Sequence, residues 1–436
     1  MPGRYFIETY GCQMNVRDSE TLAGELEALG YVAAEAASDA DVIVLNTCSV
    51  RERPHHKVFS RLGELALLKR ARPNLVLAVA GCMAQIVGDK IAQRAPYVDV
   101  ILGPRNLGRF GPALAEVLAD RGHVLVRDTA ECLPEGLPVR RAPGFSAFVN
   151  VTYGCNNFCA YCVVPYARGR EVSRQPAEII DEIEQAVADG YHEVTLLGQN
   201  VNSYGSDLDS ATDFADLLTL VDTILGLWRV RFTTSHPRDC SEKLLQVMAS
   251  LPTVCEHLHL PLQAGGDDVL RRMGRGYSFA DYRRTIARAR ELMPALAVTT
   301  DLMVGFPGES EADFEATLAA VREIRFDQAF MFKYDDRPGT AAADLPDKLS
   351  EVEKLRCLAL LIELQNTIAR EVNTAQLGQT FEVLVEGFDE RHGDLLRGRT
   401  RQNKMMIFAG DPALVGELVH VRATEAFMWG FLGKQG

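Results

Sequence analysis

The stretch Cys155-Asn-Asn-Phe-Cys159-Ala-Tyr-Cys162 places three cysteines on one short segment, separated by three and then by two residues. Thiolates at this spacing can bind three irons of a 4Fe-4S cluster. The fourth iron has no local cysteine and keeps an open position. Such an iron can hold the amino and carboxylate groups of S-adenosylmethionine and pass an electron into its sulfonium.

An aromatic residue, Tyr161, precedes the last of these cysteines. The complete pattern resembles the signature of the radical S-adenosylmethionine enzymes. The alternative is a structural zinc site, which needs four ligands, usually offered as two close pairs, and would require a distant fourth residue.

Composition narrows the class of protein. Ten cysteines in 436 residues, behind a start of MPGRYFIETYG that lacks a charged and then apolar leader, predict a cytosolic protein with reduced thiols. Hydrophobic content of 47% with 24% charged residues is typical of a soluble globular protein, and the length allows two or three domains. The net charge of -13 argues against a protein that coats nucleic acid, but it permits a local basic patch.

Three further cysteines each follow a short apolar run: Cys12 after YFIETYG, Cys48 after DVIVLNT and Cys82 after LVLAVAG. Runs of this kind, separated by helical patterns, predict buried parallel strands in an α/β sheet. Because ligands collect at the carboxyl ends of such strands, we expect the three cysteines to converge and to hold a second cluster. The alternative is that each is a small buried apolar side chain.

The middle of the chain alternates six candidate strands with helices: AFVNVTYG, EVTLLGQN, RVRFTTSH, HLHLPLQ, AVTTDLMVGF and QAFMFKY. Six such units predict a partial, TIM-like (β/α)6 barrel, whose functional residues lie at the carboxyl ends of the strands. Polar residues at those ends are candidates for binding the cofactor, although each could also fix a turn or cap a helix: Gly198, Gln199, Asn200, Ser235, His236, Gln263 and Asp301.

The helical periodicity stops near Thr374 and short strands follow, namely TFEVLVEG, KMMIFAG, GELVHVRAT and AFMWGFLG. Four or five strands in this length predict a small, OB-like β-barrel. A basic loop, LLRGRTRQNK, is expected between the first two of these strands, and it carries Arg397, Arg399, Arg401 and Lys404. Small β-barrels often offer one face to RNA, whereas a solvated loop is the alternative interpretation.

The whole chain is similar to the radical S-adenosylmethionine methylthiotransferase family, and within it to the branch that makes 2-methylthio-N6-dimethylallyladenosine in tRNA. ETYGCQMNVRDSE, LNTCSVRERPHHKVFSRLG and AVAGCMAQ resemble the amino-terminal cluster domain of that family. VTYGCNNFCAYCVVPYARGREVSR resembles its radical segment, and LRGRTRQNK its TRAM domain. The resemblance implies a cluster domain at 1–120, a linker at 121–143, a radical domain at 144–373 and an RNA-binding TRAM domain at 374–436.

The resemblance also implies the chemistry. Cys155, Cys159 and Cys162 would hold the cluster that cleaves S-adenosylmethionine to methionine and a 5'-deoxyadenosyl radical, which removes hydrogen from an unactivated carbon. The target would be C2 of the modified adenine beside the anticodon. A second cluster on Cys12, Cys48 and Cys82 would supply the sulfur, and a second S-adenosylmethionine the methyl group.

We expect the cations of the basic loop, together with Arg168, Arg170 and Arg174, to contact the tRNA backbone. For the last three, the alternative is solvation at a helix end or an internal ion pair. Other expected partners are a reducing protein such as a flavodoxin or ferredoxin and proteins that supply iron-sulfur clusters. We expect a monomer that does not associate with a membrane. Three alternatives remain at this stage: a branch that modifies an aspartate of a ribosomal protein, a branch that modifies threonylcarbamoyl-adenosine, and a non-catalytic iron-sulfur protein that binds RNA or carries electrons.

Overall fold

The computed structural model describes residues 2–48, 52–120, 122–127 and 136–435. Much of the predicted linker, including residues 128–135 with Cys132, therefore lies outside the described residues. None of the helices in the described ranges is both long and apolar enough to cross a membrane.

The amino-terminal region is a parallel sheet covered by helices. Its strands are β1 Arg4–Tyr10, β2 Val32–Ala33, β3 Val42–Thr47, β4 Val76–Gly81, β5 Val100–Leu102 and β6 Val124–Val126. Its helices are α1 Gln13–Ala28, α2 Glu52–Ala71, α3 Cys82–Arg94 and α4 Phe110–Asp120. The strand order is β2-β1-β3-β4-β5-β6, and every residue of β3 and β4 is buried. Helices on both faces explain why these two strands are almost continuously apolar, which confirms the three predicted parallel strands.

The central region is an open barrel of six parallel strands. They are β7 Ser146–Asn150, β10 Glu193–Leu197, β11 Arg229–Thr233, β12 His257–His259, β13 Ala297–Val304 and β14 Gln328–Lys333, with a small hairpin of β8 Thr152–Tyr153 and β9 Val172–Ser173. The six strands form two parallel sheets, β11-β10-β7 and β12-β13-β14, and a parallel bridge from Val230 to Val254 links them. All six predicted strands are present, so the partial barrel is confirmed.

The helices of the central region pack around this barrel. They are α5 Val164–Arg168, α6 Pro176–Ala188, α7 Phe214–Asp222, α8 Glu242–Ser250, α9 Asp267–Arg272, α10 Phe279–Leu292, α11 Glu311–Ile324 and α12 Glu351–Thr374. The main apolar core lies between them and the strands, and it includes Val149, Leu196 and Phe314.

The carboxyl-terminal region is a closed five-stranded barrel. Its strands are β15 Thr380–Phe388, β16 Leu396–Thr400, β17 Met405–Ala409, β18 Leu418–Phe427 and β19 Gly430–Gln435, in the order β15-β16-β17-β19-β18. The predicted small barrel is confirmed, but the basic segment is only partly a loop. Its first half, LRGRT, is strand β16, because it pairs with both β15 and β17.

The small barrel packs against the amino ends of the central strands. Arg229, at the start of β11, is fully buried; its Nη2 lies 2.9 Å from Oε1 of Glu382 and its Nη1 donates to the carbonyl oxygen of Arg399. Arg231 donates to the carbonyl oxygens of Thr400 and Arg401. The cysteine-rich segment follows the carboxyl end of β7. The small barrel and the cysteine-rich segment therefore lie at opposite ends of the central strands. A strand of five or six residues separates these ends by roughly 17 to 20 Å.

Candidate active site

The central cysteine segment is here called the tripod loop (Cys155–Cys162). The glycine directly before it cannot be replaced by another residue without a shift of the surrounding backbone. Gly154 has φ +75°, and a Cβ atom at this position would lie 2.1 Å from the carbonyl oxygen of Arg170. Cys155 and Cys159 are buried, and Cys162 is half-buried. The glycine thus lets the chain turn tightly enough to bring three thiols onto one short loop.

A buried arginine, Arg275, organises one side of this loop. Its Nη1 donates to Sγ of Cys159 at 3.3 Å, its Nη2 donates to the carbonyl oxygen of Pro261 at 3.0 Å, and its Nε lies 3.0 Å from the hydroxyl of Tyr277. Tyr161 packs here too, with its hydroxyl 3.5 Å from Arg275 Nη1. Arg275 was not predicted from the sequence, because 112 residues lie between it and Cys162 and its local motif, MGRGY, carries no ligand pattern.

The donor set of the tripod loop fits a four-iron cluster. Burial raises the pKa of Cys155 to about 11 and that of Cys162 to about 12, so both thiols hold their protons until iron displaces them. A cluster spreads its cysteines over separate irons, whereas a zinc ion draws its ligands around one point. In the described ranges, no three His, Cys, Asp or Glu side chains converge in a way that could hold a single metal ion.

Unpartnered polar atoms mark where a polar cofactor fits beside the loop. Within the described residues, Oδ1 of Asn200, Oγ of Ser235 and Nε2 of His236 are buried without a hydrogen-bond partner, at the carboxyl ends of β10 and β11. Burial lowers the pKa of His236 to about 2, so its ring is neutral. Since Nδ1 accepts from the backbone N–H of Arg238, Nε2 carries the proton and is free to donate. These orphaned groups fit the amino-acid and ribose groups of S-adenosylmethionine.

The other predicted cofactor residues hold the backbone of this site. Gln199 Oε1 accepts from the N–H of Gly154, and a Cβ atom on Gly198 would lie 2.5 Å from Thr152 Cγ2. Gln263 adopts φ +73° and its N–H donates to the carbonyl oxygen of Asp301 at 2.8 Å. The Asp301 carboxylate is 3.8 Å from His259 Nε2. A direct cofactor contact remains a prediction for all of these residues.

The second cysteine trio lies at the ends of three adjacent strands. Tyr10, Thr47 and Gly81 are neighbours in register across β1, β3 and β4, and each comes one or two residues before Cys12, Cys48 or Cys82. Cys48 and Cys82 are 6% and 5% exposed. A Cβ atom on Gly11 would lie 2.8 Å from Cys48 Cβ, so the segments that follow β1 and β3 pack closely. Three thiols from one sheet edge form a donor set that fits a second cluster.

A buried ion pair joins the two trios. Arg168 ends helix α5, which follows the tripod loop and packs against α3, the helix that starts at Cys82. Its Nη2 lies 2.7 Å from Oδ2 of Asp18 on α1, with the two side chains 4% and 1% exposed. A hydrogen bond with Cys48 and the nearby charge of Arg168 lower the pKa of the Cys12 thiol to about 6. The same guanidinium opposes the effect of burial on the pKa of Cys82.

The cations predicted to contact RNA fall into two groups. Lys404 is 6% exposed and its Nζ lies 2.7 Å from Asp327 Oδ1, while Arg401 pairs with Glu256 at 2.8 Å. Both hold the small barrel to the amino ends of the central strands. Arg397 and Arg399, on β16, pair with glutamates of their own barrel and are half-buried.

The arginines after the tripod loop also include both buried, ion-paired side chains and an exposed one. Arg168 belongs to the buried pair described above, and Arg174 is buried against Glu182, whose carboxylate also accepts from Arg17 and Arg141. Only Arg170 is exposed. The structure therefore places Arg168, Arg174 and Lys404 inside the protein, which differs from the surface position expected for phosphate contacts.

Three family models match successive parts of the chain. Residues 4–103 match "Uncharacterized protein family UPF0004", residues 149–321 match "Radical SAM superfamily", and residues 374–427 match "TRAM domain". These ranges correspond to the parallel sheet with the second cysteine trio, the open barrel with the tripod loop, and most of the small closed barrel.

Solved structures share the fold. A radical S-adenosylmethionine methyltransferase, TsrM, from Kitasatospora setae, with cobalamin and a [4Fe-4S] cluster bound, covers 79% of this chain at a TM-score of 0.56 and 15% identity, and the match spans 77% of that chain. The cobalamin-dependent S-adenosylmethionine radical enzyme OxsB covers 84% of this chain, with 55% of its own chain matched, at a TM-score of 0.53 and 13% identity. These likenesses concern architecture alone.

Curated relatives are much closer in sequence. The chain is 50% identical over 97% of its length to a tRNA-2-methylthio-N(6)-dimethylallyladenosine synthase of Carboxydothermus hydrogenoformans, and it covers 96% of that protein. It is 50% identical over 98% of its length to the enzyme of the same name from Moorella thermoacetica, covering 97% of it. With both cysteine trios and all three domains in place, the chain belongs to the family of radical S-adenosylmethionine enzymes that these tRNA-2-methylthio-N(6)-dimethylallyladenosine synthases represent.

Proposed function

We propose that this protein converts N6-dimethylallyladenosine beside the tRNA anticodon to its 2-methylthio derivative, using one 4Fe-4S cluster on the tripod loop and a second on Cys12, Cys48 and Cys82. The observation that supports the proposal is the buried Asp18–Arg168 pair, which links α1, the helix that follows Cys12, to α5, the helix that follows the tripod loop. A radical made at one trio and a sulfur held at the other must reach the same carbon, so the two sets of ligands have to be close and fixed in relation to each other.

When bound, the groups supply chemistry that no side chain can: the first cluster with S-adenosylmethionine gives a carbon radical, and the second cluster gives sulfur. The chain's own residues position these groups. Arg275 donates to the thiol of Cys159 and compensates negative charge on the tripod side. His236, neutral and with its Nε2 proton free, can donate to a carboxylate or hydroxyl of the cofactor, and Asn200 and Ser235 offer further hydrogen bonds.

Partners follow from this chemistry. Cleavage of the sulfonium needs an external electron, so a reducing protein such as a flavodoxin or ferredoxin is part of the proposal, as are proteins that supply iron and sulfur. The substrate places the enzyme in the compartment that holds tRNA, the cytoplasm, and we infer a monomer. The target adenine must leave the base stack to react. The free-energy cost of this step is low because an anticodon loop already presents unstacked bases.

The test is anaerobic reconstitution followed by a reaction with tRNA that carries N6-dimethylallyladenosine. We expect about eight irons per chain, the number for two four-iron clusters, and a methylthiolated nucleoside. Replacing Cys12, Cys48 and Cys82 by alanine should remove about half of the iron and abolish the product, while cleavage of S-adenosylmethionine continues. Replacing Cys155, Cys159 and Cys162 should abolish both reactions.

A matched control uses three cysteines outside both trios, Cys240, Cys255 and Cys357. Their replacement by alanine should leave iron content and product unchanged. Methylthiolated tRNA from the variant that lacks Cys12, Cys48 and Cys82, without an added sulfur source, would overturn the assignment of the second trio as the sulfur site. An iron content that never exceeds about four would overturn the two-cluster proposal.

A further inference from the structure

Two exposed aromatic rings and an arginine form a cluster beside the tripod loop. Phe158, inside the loop, is 41% exposed and Tyr166, on α5, is 48% exposed. Their ring centroids are 6.2 Å apart with the planes at 89°. The guanidinium carbon of Arg170 lies 4.4 Å from the centroid of the Phe158 ring. We call these three residues the rim cluster.

The backbone at Phe158 is unusual for an aromatic residue. Its φ of +45° lies in the left-handed region, which L residues with bulky side chains rarely occupy. Such strain tends to persist at sites where the conformation has a use. Here it belongs to a phenylalanine that is 41% exposed and lies between Cys155 and Cys159 in the sequence, so burial in a core does not account for it.

Arg170 is the charged member of the rim cluster. Arg168 and Arg174, its neighbours in sequence, are buried against carboxylates. By contrast, among the residues that the structure describes, Arg170 faces the Phe158 ring and pairs with no carboxylate. Of the three arginines that follow the tripod loop, it is the one whose charge is directed to solvent.

We infer that the rim cluster binds unpaired nucleotides of the tRNA anticodon loop, with bases stacked on Phe158 and Tyr166 and a phosphate near Arg170. The inference rests on the proposed function and deepens it. Single-stranded RNA is bound through aromatic rings and guanidinium planes that stack on bases. A stacked cation on the ring strengthens such a site.

The competing occupant of a surface so near a cluster is an electron-donor protein. Docking of that kind is steered by complementary charge. A cluster of one arginine and two aromatic rings offers little charge and much stacking area, so the composition of the rim cluster favours RNA. The location agrees with this: the nucleotides beside a base that enters the barrel must pass the carboxyl ends of its strands.

The experiment measures the affinity of reconstituted enzyme for an anticodon stem-loop RNA at several salt concentrations. Phe158→Leu and Tyr166→Leu keep apolar bulk and remove the ring, and each should weaken binding about fivefold or more at every salt concentration. Tyr166→Phe is the matched control, which keeps the ring and should bind like wild type. Arg170→Ala should weaken binding and lower the salt slope by about one.

Iron content and RNA-free cleavage of S-adenosylmethionine by dithionite should match wild type in Tyr166→Leu, Tyr166→Phe and Arg170→Ala. If Phe158→Leu loads iron poorly, Tyr166→Leu, which lies outside the cysteine segment, still decides the question. Unchanged RNA affinity in Tyr166→Leu and Arg170→Ala would overturn the inference. So would a loss confined to cleavage driven by a protein reductant, which would assign the surface to the electron donor. Failure of the proposed function would instead leave wild type without methylthiolated product.

Discussion

Replacing Arg168 by methionine tests the buried pair that joins the two cysteine trios. The change removes the guanidinium but keeps apolar bulk, and it leaves the Asp18 carboxylate, 1% exposed, without its partner at 2.7 Å. Breaking a buried pair by removing one member costs about 3 to 5 kcal/mol, since the remaining charge stays desolvated. We therefore expect Arg168→Met to lower the free energy of unfolding of the metal-free protein by about that amount.

The pH dependence gives a second readout. Burial raises the pKa of Asp18, and Arg168 opposes that rise. Without Arg168 the pKa of the folded state increases further, so the carboxyl binds a proton more tightly in the folded than in the unfolded protein. The variant is then least destabilised at low pH, and the cost grows as pH rises through the pKa of the folded state.

The assay is urea unfolding followed by circular dichroism at two pH values. Asp18→Asn combined with Arg168→Met removes both charges and should cost clearly less than Arg168→Met alone. The control is Arg72→Met, whose partner Asp41 is 51% exposed and whose loss should cost at most about 1 kcal/mol. The reasoning is refuted if Arg168→Met behaves like Arg72→Met, or if the double variant is as unstable as the single one.

Three further changes probe other parts of the structure. Burial raises the pKa of Glu309 to about 7, so the protonated carboxyl stabilises the folded state at low pH, and this stabilisation is lost between about pH 4.5 and 7. Glu309→Gln has no such loss. Its free energy of unfolding, measured with urea, should therefore rise relative to wild type by up to about 3 kcal/mol from acid to neutral pH. Lys404→Met should cost about 3 kcal/mol by leaving Asp327 unpaired, be rescued by Asp327→Asn, and leave the salt slope of tRNA binding unchanged. Gly154→Ala places a Cβ atom against the carbonyl of Arg170 and should halve the iron that the reconstituted protein retains, whereas full iron would show that the loop adapts.

The strands and the convergence of the second trio were predictable because they depend on local pattern. VIVLNT is apolar up to its last two residues and VLAVAG is apolar throughout, as expected for strands covered on both faces, and each is followed directly by a cysteine. Parallel strands of one sheet end at the same edge, so the positions of Cys48 and Cys82 followed from the sequence alone.

The positions and partners of the arginine and lysine side chains were not predictable in this way. A run such as RGRTRQNK has the same composition whether it faces solvent or a neighbouring domain, and only the fold brings Glu256 and Asp327 to Arg401 and Lys404. Arg168 and Arg275 likewise find partners more than a hundred residues away. Their roles depend on tertiary contacts that no local spacing encodes.

Placement of the methylthio group on dimethylallyladenosine in tRNA can be tested in living cells. The most direct measurement is nucleoside mass spectrometry of tRNA from cells that lack the protein, with and without a plasmid that restores it. We predict loss of the 2-methylthio nucleoside and accumulation of N6-dimethylallyladenosine, reversed by the wild-type chain and not by the variant lacking Cys12, Cys48 and Cys82. An unchanged level of the 2-methylthio nucleoside in the deletion strain would contradict it.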